Sequence, residues 1–185
     1  MRNVQLKDKK FVELISKDII DDSVQEVADA INEEMDGLNP IFICVLNGAF
    51  MFASDLLKKI TIDCEVAFVK VASYEGTESS GKVKSLIGLN IDISDREVIL
   101  VEDIVDTGQT IEQLIDDIKH QNPADIRVAT LLFKSQMYQK DIPIDYVAMK
   151  VGNEFMVGYG LDYNQLGRNL DSIFVLEETP KTILN

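Results

Sequence analysis

The sequence predicts an α/β fold with a mainly parallel twisted sheet flanked by helices. Apolar runs at 41–46, 98–101, 126–133 and 144–149 lack the polar alternation of a half-exposed strand, and so suit strands covered on both faces. Helical periodicities lie among them, and strands alternating with helices join through right-handed crossovers into a parallel sheet. No repeat, low-complexity segment or Pro/Gly linker divides the 185 residues, a length that suits one domain with a sizeable core.

The first confident element is a helix. Ser23-Val24-Gln25-Glu26 has the form of a capping box, Val24, Val27, Ala28 and Ile31 share one helical face, and Gly37 supplies a stop. The strand 41–46 runs into the turn Asn47-Gly48-Ala49, which opens a helical stretch ending near Ile60. A strand over 64–72 follows. The next ten residues, 73–82, are polar, small and aperiodic, and read as a mobile surface loop. Strands at 86–91 and 98–101 come next, then a helix marked by Ile111, Leu114, Ile115 and Ile118, then the strands 126–133 and 144–149. Ligands of such sheets bind beyond the carboxyl ends of the strands, where Asn47-Gly48, the loop after Val101, and Lys134 all fall.

Composition narrows the function classes. With 46% hydrophobic and 27% charged residues the chain reads as an ordinary soluble globular protein. No apolar run approaches a membrane span, and Met1-Arg2-Asn3 leads into a charged stretch rather than a signal peptide, so the expected compartment is the cytoplasm. Cys44 and Cys64 sit in strand-like apolar segments with no nearby histidine, as reduced core thiols do. The net charge of −14 argues against a nucleic-acid partner. His120, the one histidine, stands near a helix end before Pro123 and is placed to complement the helix dipole.

The most informative stretch is Val98-Ile99-Leu100-Val101-Glu102-Asp103-Ile104-Val105-Asp106-Thr107-Gly108-Gln109-Thr110. A buried strand runs straight into carboxylates and then into a glycine between threonines at a helix start. Nothing in a structural core requires acids there, whereas free helix amides hold an anion and hard carboxylate oxygens suit magnesium. Glu102 and Asp103, being adjacent, point to different sides of an extended backbone. Thr110 with Gln113 also fits a capping box.

The stretch Glu-Asp-x-x-Asp-Thr-Gly-x-Thr resembles the phosphoribosyl pyrophosphate motif of the type I phosphoribosyltransferases, and other segments are similar to the hypoxanthine phosphoribosyltransferases. The resemblance runs from about Ile41 to Leu176. It implies a core over about 38–150, a small hood over the base site from the N-terminal residues and about 151–185, and a mobile loop over about 73–85. It implies purine salvage with magnesium as cofactor. A ring nitrogen of a six-oxo purine, hypoxanthine and also guanine, would attack the anomeric carbon of phosphoribosyl pyrophosphate and displace pyrophosphate. A homodimer or homotetramer is the implied assembly.

Residue by residue, the resemblance places Glu102, Asp103, Asp106, Thr107, Gly108, Gln109 and Thr110 around the ribose and its phosphate, with Asp106 as general base. Asn47, Gly48 and Arg168 would face the pyrophosphate, and Ser73 and Tyr74 would begin a lid. Lys134 would donate to the purine's exocyclic oxygen. Phe155 would stack on the ring, Met156 would read its edge, and Asp162 would join the base and metal site. Glu102, Asp103 and Asp162 would be the metal ligands. The chain has Asn47 and Glu154 where many members of the family have lysine. Two other readings fit the same motif: a phosphoribosyltransferase for xanthine or another base, and a regulator that senses phosphoribosyl pyrophosphate. The absence of a basic cluster speaks against a nucleic-acid-binding regulator.

Overall fold

From the amino end, the described residues, 2–71 and 86–177 of the computed structural model, form β1 (Asn3–Leu6), β2 (Lys9–Ile15), α1 (Lys17–Glu34), β3 (Ile41–Leu46), α2 (Phe50–Lys59), β4 (Glu65–Val71) and β5 (Leu86–Ile87). There follow β6 (Glu97–Val105), α3 (Gln109–Lys119), β7 (Asp125–Phe133), β8 (Tyr146–Lys150), β9 (Met156–Val157) and β10 (Ile173–Leu176). The larger sheet has the order β5-β4-β3-β6-β7-β8, with every pairing parallel except β4 with β5. This is the expected mainly parallel α/β sheet.

Side-chain alternation divides its core into two layers. On β6, Ile99 and Val101 pack with Phe42 and Cys44 of β3 against α1 and α2, where Ile20, Val24, Val27, Ala28, Ile31, Phe52 and Leu56 are buried. Val98 and Leu100 pack with Ile41 and Ile43 against Ile111, Leu114, Ile115 and Ile118 of α3. Burial on both faces is why these strands read as unbroken apolar runs.

The second sheet is antiparallel, in the order β1-β2-β10-β9, and joins the amino end of the chain to its last described strand. Phe11, Val157 and Phe174 form a small buried cluster of their own within it, while Met156 and Ile173 pack into the core of the larger sheet. This sheet falls within the segments that the resemblance assigns to a hood, and the periodicity did not reveal its strands.

Three local expectations change. α1 begins at Lys17, with Ser16 as its N-cap accepting from the Ile19 amide, so Ser23-Val24-Gln25-Glu26 lies inside the helix and caps nothing. Of the expected strand 86–91 only Leu86–Ile87 pairs. The N-cap of α3 is Gly108, in the left-handed region at φ 85° with no side-chain cap bond, so Thr110 and Gln113 are helix residues and form no capping box. No helix among the described residues is long and apolar enough to cross a membrane.

Candidate active site

The site lies where the parallel strands end and the second sheet meets them. A cleft of about 290 Å³ is lined by Asp103, Ile104, Asp106, Lys134, Phe155, Met156, Leu161, Asp162 and Arg168. Seven of these nine were expected as site residues from separate parts of the sequence; Ile104 and Leu161 were not. Parallel pairing explains the nearest convergence: β6 and β7 run side by side through Val105 and Phe133, so Asp106 and Lys134 leave neighbouring strand ends. The Lys134 amide donates to the Val105 carbonyl at 2.9 Å, and the Lys134 ammonium lies 3.0 Å from Asp106 Oδ2. Lys134 is far more enclosed than its partner, with side-chain exposures of 12% and 45%.

A second ion pair stands in the cleft. Arg168 lies 2.5 Å from Asp162 Oδ1 and donates to the Gly160 carbonyl at 2.7 Å, while the Gln165 amide donates to Asp162 Oδ2 at 2.7 Å. Planar guanidinium geometry suits this bridging and equally suits phosphate oxygens.

Glu102 and Asp103 diverge as extended backbone requires. Glu102 is in phase with Val98 and Leu100, is buried, and its Oε2 has no hydrogen-bond partner among the described residues. Burial, then the neighbouring Asp103 charge, push its carboxyl well above the usual range. Asp103 opens on the cleft but is otherwise enclosed, and burial pushes its carboxyl up to about 6. Magnesium commonly takes one or two protein carboxylates and completes its shell with substrate oxygens and water; Asp103 presents such a carboxylate to the cleft, while the unpartnered Oε2 of Glu102 lies on the other side of the strand. Glu102, Asp103 and Asp162 do not form a three-ligand cluster. No group of three or more His, Cys, Asp or Glu side chains placed to hold a metal occurs among the described residues. Asp162 is engaged instead by Arg168 and the Gln165 amide.

Around the loop after β6, Thr107, Gln109 and Thr110 are exposed and Gly108 is buried. A Cβ at Gly108 would run into the Tyr138 ring and the Lys140 stem, so glycine is required by packing as well as by φ. Tyr138 and Lys140, whose ammonium is 2.6 Å from Glu112 in the first turn of α3, had no sequence signal tying them to this loop. Asn47 is exposed and follows a cis Leu46–Asn47 peptide bond. Gly48 stands against Asp103, whose carboxylate occupies the place of any Cβ there.

Phe155 is half exposed at the cleft and is backed by Phe11 and Tyr163, with centroids 6.4 and 6.0 Å away. Met156 is buried in β9. Glu154 is exposed and does not line the cleft. Ser73 and Tyr74 lie outside the described residues, as does the expected loop at 73–85. His120 is the C-cap of α3, its Nδ1 2.6 Å from the Asp116 carbonyl. Both cysteines are free, and burial pushes the Cys44 thiol up to about 12, which keeps it unreactive.

A parallel sheet whose central strand ends in this acidic loop, opening a helix, defines a phosphoribosyl transferase, and residues 16–164 match the family model described as phosphoribosyl transferase domain. Within that class the chain belongs to the hypoxanthine-guanine phosphoribosyltransferase family. It is 40% identical to the hypoxanthine-guanine phosphoribosyltransferase of Streptococcus thermophilus over 93% of this chain and 96% of that one. It superposes on the crystal structure of a hypoxanthine-guanine phosphoribosyltransferase from Bacillus anthracis with a TM-score of 0.81 and 34% identity, over 90% of this chain and 97% of that one. It is also 41% identical over 165 residues, 89% of this chain, to the bifunctional protein TilS/HprT of Listeria monocytogenes, of whose length it spans 26%.

Proposed function

We propose that the chain transfers the 5-phosphoribosyl group from phosphoribosyl pyrophosphate to hypoxanthine, and also to guanine, giving the purine nucleotide and pyrophosphate. The observation that carries this reading is the single cleft in which Asp103, Asp106, Lys134, Phe155, Asp162 and Arg168 meet. An aromatic face at one wall and carboxylates with cations at the other suit a flat base and a charged sugar phosphate.

In this reading the ring nitrogen of the purine bonds to the anomeric carbon as the bond to pyrophosphate breaks, and the proton leaves the purine for Asp106. Charge develops on the leaving oxygens and on the ribosyl ring together, so placed charges of both signs lower the barrier. Lys134 donates to the exocyclic oxygen, which selects a six-oxo purine because adenine's amino group would set donor against donor. Its pairing with Asp106 holds both groups in place before the base arrives. Phe155 stacks on the ring and Met156 flanks its edge. The amides and hydroxyls from Thr107 to Thr110 receive the ribose phosphate at the α3 N-terminus. Asn47, Gly48 and Arg168 face the pyrophosphate. Glu102 and Asp103 would hold magnesium, with Asp162 nearby, and the ion would neutralise pyrophosphate charge. Ser73 and Tyr74 would start a lid that excludes water.

The same reading takes residues 1–185 as one catalytic domain acting in the cytoplasm, in keeping with two free thiols. It takes the assembly as a homodimer or homotetramer, in keeping with the exposed apolar side chains Val66 and Phe68 on β4 and Phe50 on α2. Nucleic acid and membrane are not partners. Turnover with phosphoribosyl pyrophosphate, magnesium and each purine separately is the direct test. Activity with hypoxanthine and guanine but not adenine is expected, and no product with any purine would refute the assignment. Lys134→Ala should raise the KM for the base by about tenfold, the scale of one charged hydrogen bond. An unchanged base KM would remove Lys134 from base selection.

A further inference from the structure

The turn between β9 and β10 holds an anomaly that the reaction leaves unexplained. Gly158 and Leu161 exchange backbone hydrogen bonds at 3.0 Å, leaving Tyr159 and Gly160 as the two central residues of a tight hairpin turn. Both have positive φ, 48° and 101°. Turns of this kind favour Asn-Gly, and a bulky aromatic in the left-handed region is an outlier that persists only when its surroundings demand it. The surroundings here are those of the other module. Tyr159 is 4% exposed, and its hydroxyl donates to Asp55 Oδ2 of α2 at 2.5 Å. Beside it, Gly160 packs so closely on the Gly48 carbonyl that a Cβ would collide with it.

We infer that Tyr159 is a positioning residue, a strut through which the purine-side turn is locked to α2 and hence to the Asn47-Gly48 turn that opens toward it. The inference rests on the phosphoribosyl-transfer reading for the identity of the two sites it joins. The turn leads from Met156 on one side to Asp162 and Arg168 on the other, all three at the cleft. Two further backbone bonds, from the Tyr159 amide to Leu170 and from the Gly160 amide to Arg168, make the turn rigid. A rigid turn docked on α2 through Tyr159 and on the Gly48 turn through Gly160 transmits the position of one half of the cleft to the other. Burial, and then the bond to Asp55, raise the Tyr159 phenol above its ordinary range. Burial alone would raise Asp55, but the bonds from Lys58 and Tyr159 outweigh it and hold that carboxyl low. Asp55 therefore stays a charged acceptor.

Tyr159→Phe deletes only the hydroxyl, Asp55→Ala deletes the acceptor, and Asp55→Asn keeps an acceptor at the same place. Tyr159→Phe and Asp55→Ala should each raise the hypoxanthine KM about tenfold, the size of one buried bond to a charged group, with the effect on KM rather than kcat. The double variant should be no worse than either single, and Asp55→Asn should restore most of the loss. Amide hydrogen exchange over 156–162 in the unliganded protein should quicken in Tyr159→Phe. A purely structural role would lower melting temperature and active fraction while leaving KM and rescue unmoved. Unchanged KM in an active enzyme would overturn the strut and leave the assigned reaction standing. Failure of the unaltered protein with every purine would overturn the reaction instead, and unchanged exchange over 156–162 would then still sink the strut.

Discussion

On the sheet side the cleft is lined by charges set near strand ends: Asp103 late in β6, Asp106 just beyond it, and Lys134 just after β7. On the hood side stand a half-exposed ring, Phe155, a buried Met156, and a turn held in left-handed conformation. The sheet side is positioned by parallel hydrogen bonding between strands buried on both faces, so its geometry follows from the core. The hood side is positioned by contacts between segments far apart in sequence, such as Tyr159 with Asp55 and Phe11 with Phe155. The difference teaches that the two walls of the cleft are held by separate scaffolds, and each can be perturbed alone.

The sharpest way to break that division is Asp106→Asn. It keeps shape and a hydrogen bond to Lys134 but removes the proton acceptor, and general-base catalysis is commonly worth about 10²–10⁴-fold. A fall in kcat of that order is expected, with both KM values changed less than about threefold, in steady-state assays with each substrate varied. A kcat near that of the unaltered enzyme would remove Asp106 from proton transfer. A large rise in the purine KM would mean that Asp106 holds Lys134 in place for the base as well as taking the proton.

The complementary change is Phe155→Ala. Stacking of a base on an aromatic side chain is worth about 1–3 kcal/mol, so the purine KM should rise roughly tenfold or more. The KM for phosphoribosyl pyrophosphate should stay put. Equal rises in both would show that the ring supports the whole cleft rather than the base alone. Because Phe11 and Tyr163 back the ring from β2 and from the segment after the turn, Tyr163→Leu should reproduce part of the effect.

How much of this was legible before the structure follows the same line. The strands β3, β6 and β7 and the helix α3 announce themselves because local burial writes a local pattern, and the acidic loop is contiguous with one of them. The hood sheet is silent because β2 pairs with β10, about 160 residues later, and its alternation is diluted by partly exposed residues such as Lys9 and Glu13. The true start of α1 was missed because Ser16 lacks the acidic partner three residues on that Ser23 has by surface coincidence. The Arg168 to Asp162 pair joins two irregular positions with no period, and Lys140 comes to Gly108 only through tertiary packing. Residue types at the cleft were readable, but which carboxylate each cation holds was not.

Glu102 gives the smallest effect and the finest test, since it belongs to the sheet side yet lies off the cleft. Among the described residues its buried Oε2 has no partner, and burial pushes its carboxyl well above the usual range. Replacing an uncompensated buried acid by an apolar group of similar volume is often stabilising, by about 1 kcal/mol or more. Glu102→Leu should therefore raise the melting temperature of the unliganded protein by about 2–4 °C, while weakening magnesium-dependent binding of phosphoribosyl pyrophosphate. Calorimetry with and without the metal and substrate separates the two effects. A lower melting temperature would mean that Glu102 serves the core, and that this acid of β6 is kept for stability rather than for binding a metal.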